Sequence, residues 1–387
     1  MPYPVAVISG RGAERWVRGH PWIYRSDVLT GPDRPGPVRV LDRRGKFLGI
    51  ALASPTSEIR LRLLSREDRV LTRGWWGERL AHCLASRAGI DATAVRLVHG
   101  EGDGLPSLIV DRYDRWLVMQ LLSSGLEAIR DDVLGALSDL VHPAGILLRN
   151  DVSVRRREGL SENVELYSGE VPEEIEVREG AVRYLAAPWT GQKTGAFLDQ
   201  RPNRVLAAAL TRPGGTALDC FTYHGSFALH LATRALRVTA LDTSEAALAR
   251  AAVNAELNGL SNIEWVSGDA FQQLRRWERE RRRFDTIVLD PPAFAKTRAA
   301  VPEALRGYKE INLRAMRLLA PGGVLVTASC SFHVGVARFF QMLTEAAADS
   351  GRRLLLTHRL APGVDHPEVV TIPETLYLKG AALRADP

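Results

Sequence analysis

The second half of the chain alternates short apolar, β-branched runs with helix-like segments, and this alternation leaves few folds open to it. The apolar runs predict strands at 216–220, 237–241, 263–266, 284–289, 323–329, 353–359 and 374–379. Helical spacing fills the gaps at 226–235, 244–258, 269–281, 302–319 and 334–349. Such a series predicts an α/β domain beginning near residue 186, with a mostly parallel, seven-stranded sheet that carries helices on both faces.

Polar side chains stand where several of these strands end, which is where an open α/β sheet binds its ligands. Asp290 follows the run 284–289 and precedes two prolines, which end the strand because proline cannot donate a ladder hydrogen bond. Other strand-end groups are expected at the same edge, namely Asp219, Asp242, Asp269 and Ser329-Cys330-Ser331. Together they predict one binding cleft.

The spacing of the acids fits a nucleoside cofactor that has no phosphates. Asp242 ends the second strand, 23 residues after Asp219, where a carboxylate can accept hydrogen bonds from both ribose hydroxyls. Gly225, at the turn into the next helix, would allow close backbone approach. Neither G-x-G-x-x-G nor G-x-x-x-x-G-K-[ST] occurs, so a nicotinamide dehydrogenase or a triphosphate site is not indicated. S-adenosylmethionine is the common cofactor of the remaining kind.

The first 70 residues form a basic, β-rich module. They hold 13 Lys+Arg against 7 Asp+Glu, a net +6 that equals the charge of the whole chain, 51 − 45. Strands are predicted at 38–42, 47–52 and 59–64. Ahead of them, cations interleave with aromatic rings, as a nucleic-acid surface requires, in a set that includes Arg11, Arg18, His20 and Trp22. The alternative is that Trp22 belongs to the core of a small barrel.

The stretch 71–185 gives architecture and little chemistry. Helices are predicted at 75–88 and 126–141, a hairpin at 107–111 with 116–121, a strand at 146–149, and an exposed acidic hairpin and linker at 170–179. The three cysteines, Cys83, Cys220 and Cys330, are too scattered for a disulfide framework or a metal site. Neither a membrane-spanning run nor a signal pattern is visible, so a cytoplasmic protein is expected.

Several of these motifs resemble a known family. Gly10-Arg11 with Arg18-Gly19-His20-Pro21-Trp22-Ile23-Tyr24 resembles the opening of a PUA domain, a small RNA-binding pseudo-barrel. Asp219 to Gly225, Asp242, Gly268-Asp269-Ala270 and Asp290-Pro291-Pro292 are similar in order and spacing to the motifs of class I methyltransferases. The segments 191–201, 365–367 and 373–379 resemble the RlmI-type family of 23S ribosomal RNA cytosine-5 methyltransferases.

The resemblance implies three domains: a PUA-like RNA-binding domain at 1–70, an α+β central domain at 71–185, and a Rossmann-like methyltransferase domain at 186–387. It implies S-adenosylmethionine as cofactor and 23S ribosomal RNA as partner, with the oligomeric state left open and a homodimer among the choices. The implied cofactor-binding residues are Gln192, Thr194, Phe197, Asp219, Phe221, Tyr223, Gly225, Asp242, Asp269, Ala270 and Asp290.

The implied chemistry requires a cysteine. Carbon 5 of cytosine is too weak a nucleophile to attack a methyl sulfonium until a thiolate has added to carbon 6. Ser329-Cys330-Ser331 resembles the nucleophile motif of the family, so Cys330 is the predicted nucleophile. Asp290 is the second catalytic candidate, either holding the cytosine amino group or helping to remove the carbon-5 proton. Phe294 is a candidate for stacking on the flipped base, and Lys296 for contacting its phosphate.

Three alternatives stay open. Uracil carbon 5 could be activated by the same cysteine, and Asp-Pro-Pro followed by an aromatic is close to the loop with which N-methyltransferases grip an exocyclic amine. A non-catalytic RNA-binding or assembly factor would be expected to have lost the cofactor motifs. His224 stands where the family has glycine, and it is interpreted either as a helix-entry surface histidine or as a contact to the cofactor carboxylate.

Overall fold

The computed structural model describes residues 3–387, and its contacts divide the chain into two compact units. The first comprises the chain up to Val177, with Ala186–Leu198 and Val364–Thr375. The second comprises Arg178–Leu185, Asp199–Gly363 and Leu376–Pro387. Among the described residues, no helix combines the length and the apolar character that crossing a bilayer requires.

The first unit begins with a six-stranded sheet and one helix. These are β1 (Val5–Ile8), α1 (Gly10–Val17), β2 (Trp22–Tyr24), β3 (Val28–Thr30), β4 (Gly36–Leu41), β5 (Phe47–Ala53) and β6 (Ile59–Ser65), with strand order β2-β6-β5-β4-β1-β3. The three strands predicted here are confirmed as β4, β5 and β6. Ser9 begins α1 by accepting a hydrogen bond from the Gly12 amide at 3.1 Å. The tryptophan buried in this core is Trp16, 1% exposed, whereas Trp22 is half-buried.

A second sheet follows in the same unit. Its elements are α2 (Arg73–Ala85), β7 (Ala94–His99), β8 (Leu108–Tyr113), β9 (Trp116–Leu121), α3 (Ser124–Glu127), α4 (Arg130–Val141), β10 (Gly145–Arg149), α5 (Val154–Arg157) and β11 (Val164–Gly169), with strand order β11-β10-β9-β8-β7. The predicted hairpin is β8 with β9. The helix predicted at 126–141 is confirmed from Arg130 to its end as α4, whereas its first residues belong to the separate short helix α3.

The second unit contains the predicted α/β sheet. A hairpin of β12 (Ile175–Glu179) with β13 (Val182–Ala186) precedes the sheet in the chain. The elements of the sheet and its helices are α6 (Arg201–Leu210), β14 (Thr216–Cys220), α7 (Ser226–Ala232), β15 (Arg237–Asp242), α8 (Glu245–Leu257), β16 (Ile263–Ser267), α9 (Ala270–Arg279), β17 (Phe284–Leu289), α10 (Val301–Leu318), β18 (Leu319–Ser329), α11 (Val336–Ser350), β19 (Leu354–Leu360) and β20 (Lys379–Ala385).

The strand order β16-β15-β14-β17-β18-β20-β19 confirms a seven-stranded, mostly parallel sheet. β20 is antiparallel to both of its neighbours. The strand predicted at 374–379 is wrong, because the chain there begins with a short helical turn and the last strand starts at Lys379. Helix α6 was not predicted.

Both faces of the sheet are covered, as continuous apolar strands require. Leu218, Ile287 and Leu325 lie in one core cluster with side chains of α9, α10 and α11. Their sequence neighbours Ala217 and Val288 point to the opposite face, with side chains of α7, because successive side chains alternate along a strand. The carboxyl ends of β14 to β18 are therefore the open edge of this layer.

A buried ion pair lies behind this sheet in the second unit. Glu179 and Arg204 form two hydrogen bonds, at 2.8 and 2.6 Å, and their side chains are only 3% and 2% exposed. Burial alone would raise the pKa of Glu179, but the charge and hydrogen bonds of Arg204 outweigh it and lower that pKa. The acidic stretch at 170–179 thus supplies the first strand of a hairpin, and its acids are exposed as predicted except Glu179, which is buried.

Glu179→Gln is expected to destabilise the second unit strongly, because it leaves the Arg204 guanidinium buried without its counter-charge. Removing one partner of a buried pair costs about 3–5 kcal/mol. Urea unfolding at pH 7 measures the free energy of unfolding. The matched control is Glu280→Gln, which breaks the exposed Arg276–Glu280 pair and should change it by less than about 1 kcal/mol. Equal effects of the two substitutions would contradict the assignment.

Candidate active site

Strand ends of the second unit bring polar groups to one edge of the sheet. In the strand register Cys220 of β14 lies between Leu241 of β15 and Leu289 of β17. The next residue after each neighbour is acidic: Asp242 closes β15 and Asp290 follows β17. On the other side of β17, Leu289 pairs with Thr327, so Cys330 leaves β18 at the same edge. The predicted convergence at the strand ends is thus present in the fold.

Asp219 is the buried acid of this edge. Its side chain is fully buried, and Oδ2 accepts hydrogen bonds from the Thr222 hydroxyl at 2.6 Å and the Ala228 amide at 2.9 Å. Oδ1 is buried and has no hydrogen-bond partner among residues 3–387. Burial first, and then the charges of Asp290 and Asp242, raise the pKa of Asp219 to about 7. Asp219 therefore supports the loop after β14 and lies among like charges.

That loop has an uncommon backbone. Phe221 and Tyr223 have positive φ values of 66° and 52°, which side-chain-bearing residues rarely adopt. Gly225 has a φ of 86°, and a Cβ there would lie 3.0 Å from Ala251 Cβ. The close approach that Gly225 allows is thus to helix α8.

The remaining predicted cofactor residues of the second unit also stand at this edge. Asp242 accepts hydrogen bonds from the Tyr223 amide and from the Ser244 amide, each at 2.9 Å. Asp269 is exposed and caps α9 by accepting from the Gln272 amide at 2.9 Å, and Ala270, the first helical residue, is buried. Both acids keep a carboxylate at the edge while fixing the backbone beside it.

The carboxylates at this edge suit a cationic ligand. The like charges of Asp290 and Asp242 act on Asp219, which keeps one carboxylate oxygen without a hydrogen-bond donor among residues 3–387. S-adenosylmethionine carries a sulfonium and an α-ammonium group, and both would relieve this repulsion. The residues present therefore fit the cofactor that the sequence predicts.

Asp290 is held by a chain of amides. Its Oδ1 accepts from Gln200 Nε2 at 2.7 Å, and Gln200 Oε1 in turn accepts from Asn203 Nδ2 at 2.6 Å. Gln200 is 3% exposed and Asn203 is 4% exposed. Neither amide was predicted as a site residue. The only signal was that Gln200 lies within, and Asn203 just after, the segment 191–201 that resembles the family.

Cys330 lies on a turn that is tied to the Asp290 loop. The cysteine is partly exposed, whereas Cys83 and Cys220 are buried. The hydroxyl of the next residue, Ser331, accepts from the Ala295 amide at 3.2 Å and is hydrogen-bonded to the Tyr308 hydroxyl at 2.8 Å. Ser331 thus links the turn after β18 to the loop after β17. Burial also raises the pKa of the Cys220 thiol well above its ordinary value.

The two predicted base-contacting residues differ in their surroundings. Phe294 packs in the core, with its ring centroid 4.6 Å from that of Tyr308 and 6.0 Å from that of Phe271. Lys296 is exposed and has no side-chain partner among residues 3–387. Much of the Phe294 ring is therefore already occupied within the protein, while the Lys296 ammonium is not.

Three predicted cofactor residues, Gln192, Thr194 and Phe197, belong to the first unit. Thr194 is fully buried, and its hydroxyl donates to Asp111 at 2.5 Å and lies 3.1 Å from the Tyr113 hydroxyl. Gln192 is exposed, and Phe197 is half-buried beneath the Lys193 ammonium, 4.6 Å from its ring centroid. The Thr194 hydroxyl is thus used in fixing this segment to β8.

The predicted RNA-binding residues of the N-terminal sheet have polar partners within the first unit. These pairs are Arg11 with Asp27 (2.7 Å), Arg18 with Glu14 (2.6 Å), His20 with Glu374 (3.1 Å) and Trp22 with Glu101 (2.9 Å). Exposed cations without a side-chain partner among residues 3–387 include those of the β4–β5 turn, namely Arg43, Arg44 and Lys46. The interleaved pattern therefore consists largely of engaged side chains.

The surface interpretation of His224 is wrong. Its side chain is 3% exposed, and its ring is stacked on Tyr184 with centroids 5.3 Å apart. Burial lowers the pKa of His224 to about 4, so the ring is neutral at pH 7. The aromatic neighbour on β13 could not be read from the local sequence.

Comparisons with known proteins agree with this geometry. Residues 7–66 match a family described as PUA-like domain, and residues 96–377 match a family described as S-adenosylmethionine-dependent methyltransferase. A protein of Aeromonas hydrophila subsp. hydrophila, named Ribosomal RNA large subunit methyltransferase I, is 39% identical over 100% of both chains.

Two further matches extend over nearly the whole chain. A protein of the same name from Pseudoalteromonas atlantica is 37% identical over 94% of this chain and 95% of its own. A solved structure described as a methyltransferase complexed with SAH has a TM-score of 0.85 at 21% identity, and the match covers 98% of this chain and 100% of that one. The last likeness shows that the two chains share a fold.

Asp219→Asn is expected to remove a pH dependence of stability. Because the pKa of Asp219 is about 7 in the fold and 3.8 ordinarily, the folded state binds this proton more tightly. The resulting stability is present below pH 4 and is lost as pH rises through 7. From pH 5 to 8 the wild type should lose about 3 kcal/mol relative to the variant.

Urea unfolding across this pH range, without cofactor, measures that difference. The asparagine oxygen can still accept from Thr222 and Ala228, so the variant should fold. Asp269→Asn is the control for the substitution. The difference between its free energy of unfolding and that of the wild type should be the same at every pH. If the difference in free energy of unfolding between Asp219→Asn and the wild type were also independent of pH, the raised pKa of Asp219 would be contradicted.

Proposed function

Because this chain belongs to the S-adenosylmethionine-dependent methyltransferase family and has a PUA-like domain, we propose that it methylates carbon 5 of a cytosine in large-subunit ribosomal RNA. The relatives named Ribosomal RNA large subunit methyltransferase I support the choice of substrate. The observation that carries the choice of carbon 5 is Cys330, the one partly exposed cysteine of residues 3–387, at the strand end next to that of Asp290. We also propose that the enzyme works in the cytoplasm, where its substrate is made.

The carboxylate edge would hold the cofactor. In this proposal Asp242 binds the ribose hydroxyls, Asp269 and Ala270 border the adenine, and Asp219 supports the Phe221–Gly225 loop beneath the methionine part. When bound, S-adenosylmethionine supplies an electrophilic methyl group. The raised pKa of Asp219 favours a positively charged occupant, because a nearby cation stabilises the ionised carboxylate.

Cys330 would act as the nucleophile toward the base. Its thiolate forms a bond to carbon 6 of cytosine, and the electron pair of the 5,6 double bond then becomes available at carbon 5 for bonding to the methyl group. Afterwards carbon 5 gives up its proton to a base, and the thiolate leaves carbon 6 as the double bond re-forms. The thiolate is thus regenerated and no net oxidation occurs.

Asp290 supports cytosine over uracil. A carboxylate accepts hydrogen bonds, and cytosine offers a donor amino group where uracil has a carbonyl acceptor. The Gln200 amide holds one Asp290 oxygen at 2.7 Å and fixes the orientation of the group. The uracil alternative would place two acceptors against each other. Amine methylation would leave Cys330 without a role.

The remaining contacts follow from exposed charge. Lys296, on the loop after Asp290, is free to meet a phosphate of the nucleotide that is flipped out. In the PUA-like domain, Arg11, Arg18, His20 and Trp22 would each have to share or exchange their present acidic partners with RNA. The turn cations Arg43, Arg44 and Lys46 could bind phosphates without such an exchange.

The test of the proposal is covalent trapping on fluorinated RNA. Large-subunit ribosomal RNA carrying 5-fluorocytidine is incubated with the protein and S-adenosylmethionine, and a denaturant-resistant adduct is sought by gel electrophoresis. Fluorine cannot leave as a proton does, so the wild type should stall as an adduct and Cys330→Ala should form none. RNA carrying 5-fluorouridine, run in parallel, should give no adduct.

Cys220→Ala is the matched control, because it removes a buried cysteine of the same unit and should retain trapping. An adduct only on 5-fluorouridine would shift the assignment to uracil. Methyl transfer to ordinary RNA that persists in Cys330→Ala would refute the covalent mechanism and favour amine methylation. Cofactor binding without any methyl transfer would favour the non-catalytic factor.

A further inference from the structure

Lys379 is a buried cation that the mechanism above does not use. It is the first residue of β20, and the strand register places it opposite Ser329, the residue before Cys330. Its side chain reaches the turn after β18 that contains Cys330 and Ser331. There Nζ donates to the Ser331 carbonyl at 2.6 Å, and it also donates to the Tyr377 carbonyl at 2.9 Å. The ammonium is thus anchored on one carbonyl of the cysteine turn and on one of the chain just before β20.

The position is unusual for a lysine. Lys379 is 3% exposed and forms no ion pair with a carboxylate among residues 3–387. A buried ammonium is costly unless a negative charge offsets it, and uncharged carbonyls only partly do so. The negative charge that a thiolate would place at Cys330 is the missing counterpart.

We propose that Lys379 is a positioning residue whose ammonium, anchored on the Ser331 and Tyr377 carbonyls, stabilises the thiolate of Cys330. The proposal rests on the proposed function for its catalytic meaning. The proton that leaves Cys330 goes to solvent, and Lys379 keeps its own, so the pair is an ammonium with a thiolate. A thiolate fraction present at neutral pH is what a cysteine needs for addition to carbon 6.

The electrostatic interaction between Lys379 and Cys330 favours the charged forms of both groups. Burial lowers the pKa of Lys379 to about 8, and the charge of Cys330 acts against that shift. The ammonium is therefore mostly retained at pH 7, and the interaction with Cys330 favours the charged form of the lysine. By reciprocity the ammonium favours the charged form of the cysteine.

Four other titratable groups lie around the turn. Tyr308, on α10, hydrogen-bonds Ser331 and is neutral, because burial raises the pKa of its hydroxyl. Asp290, after the neighbouring β17, is a carboxyl group and supplies no positive charge. His333 lies further along the turn, with its ring against Phe332 at 5.3 Å between centroids. Asp199 is bonded to the Tyr377 hydroxyl at 2.7 Å.

The test is the pH profile of Cys330 alkylation in the full-length protein without RNA. Iodoacetamide is applied between pH 6 and 10, and the Cys330 peptide is quantified by mass spectrometry. The wild-type thiol should titrate below the ordinary cysteine value of about 8.5. Lys379→Met should raise that pKa by about one unit and slow alkylation at pH 7 about tenfold. Lys379→Arg should retain most of the lowering.

Lys309→Met is the matched control, because it removes a lysine that is paired with Asp349 at 2.8 Å on the surface of the same unit. It should leave the profile unchanged. An unchanged profile in folded Lys379→Met would overturn the proposal. Should that variant fail to fold, the wild-type profile decides, since a Cys330 pKa at or above about 8.5 would equally overturn it.

The outcomes separate this proposal from the proposed function. Alkylation reports the thiol without RNA or cofactor, whereas trapping on 5-fluorocytidine reports the reaction. A lysine-dependent thiol pKa with no adduct on RNA would retain the Lys379–Cys330 pair and refute the cytosine mechanism. If an adduct forms and depends on Cys330, but the pKa of the Cys330 thiol does not change in Lys379→Met, the cytosine mechanism is retained and the Lys379–Cys330 pair is refuted.

Discussion

Burial of the Asp219 carboxylate beside the charges of Asp290 and Asp242 is the constraint on which the carboxylate edge depends. Parallel strands bring their carboxyl ends together, and three of these ends carry an acid. Asp219 is fully buried, so water cannot screen it, and its pKa rises to about 7. Ionisation of Asp219 is therefore unfavourable until a positive charge lies nearby. A ligand that carries such a charge gains affinity from energy already present in the fold, and it stabilises the fold in return.

The same acids also shape the backbone that would surround the ligand. Phe221 and Tyr223 have positive φ values, which cost energy for residues with side chains. Asp219 accepts hydrogen bonds from Thr222 and Ala228, and Asp242 accepts one from the Tyr223 amide, so the strained loop is held from both ends. Charge and loop conformation are consequently coupled. Neutralising one acid would change the loop as well as the electrostatic field.

The sequence predicted the strands and the acids at their ends, because the local pattern of apolar residues and the residue types at strand ends determine both. The strands at 216–220 and 284–289 have the predicted bounds, and the acids at their ends follow from the topology of a parallel sheet. The last strand was misplaced because 374–379 contains the continuous apolar run Leu376-Tyr377-Leu378, while the true strand contains the small residues of Gly380–Ala382. The Glu179–Arg204 and Gln200–Asp290 contacts join residues far apart in sequence, and no local pattern encodes such partners. The roles of individual site residues stay predictions.

The antiparallel strand β20 has a consequence for how the domain assembles. β19 precedes β20 along the chain, yet within residues 3–387 the strand to which it is hydrogen-bonded is β20, which pairs in turn with β18. β19 therefore cannot join the sheet by itself, and the two strands dock as one cooperative segment with contacts distant in sequence. The lysine beside Cys330 arrives with that segment. Cys330 therefore has this ammonium beside it only in molecules in which β20 has paired with β18.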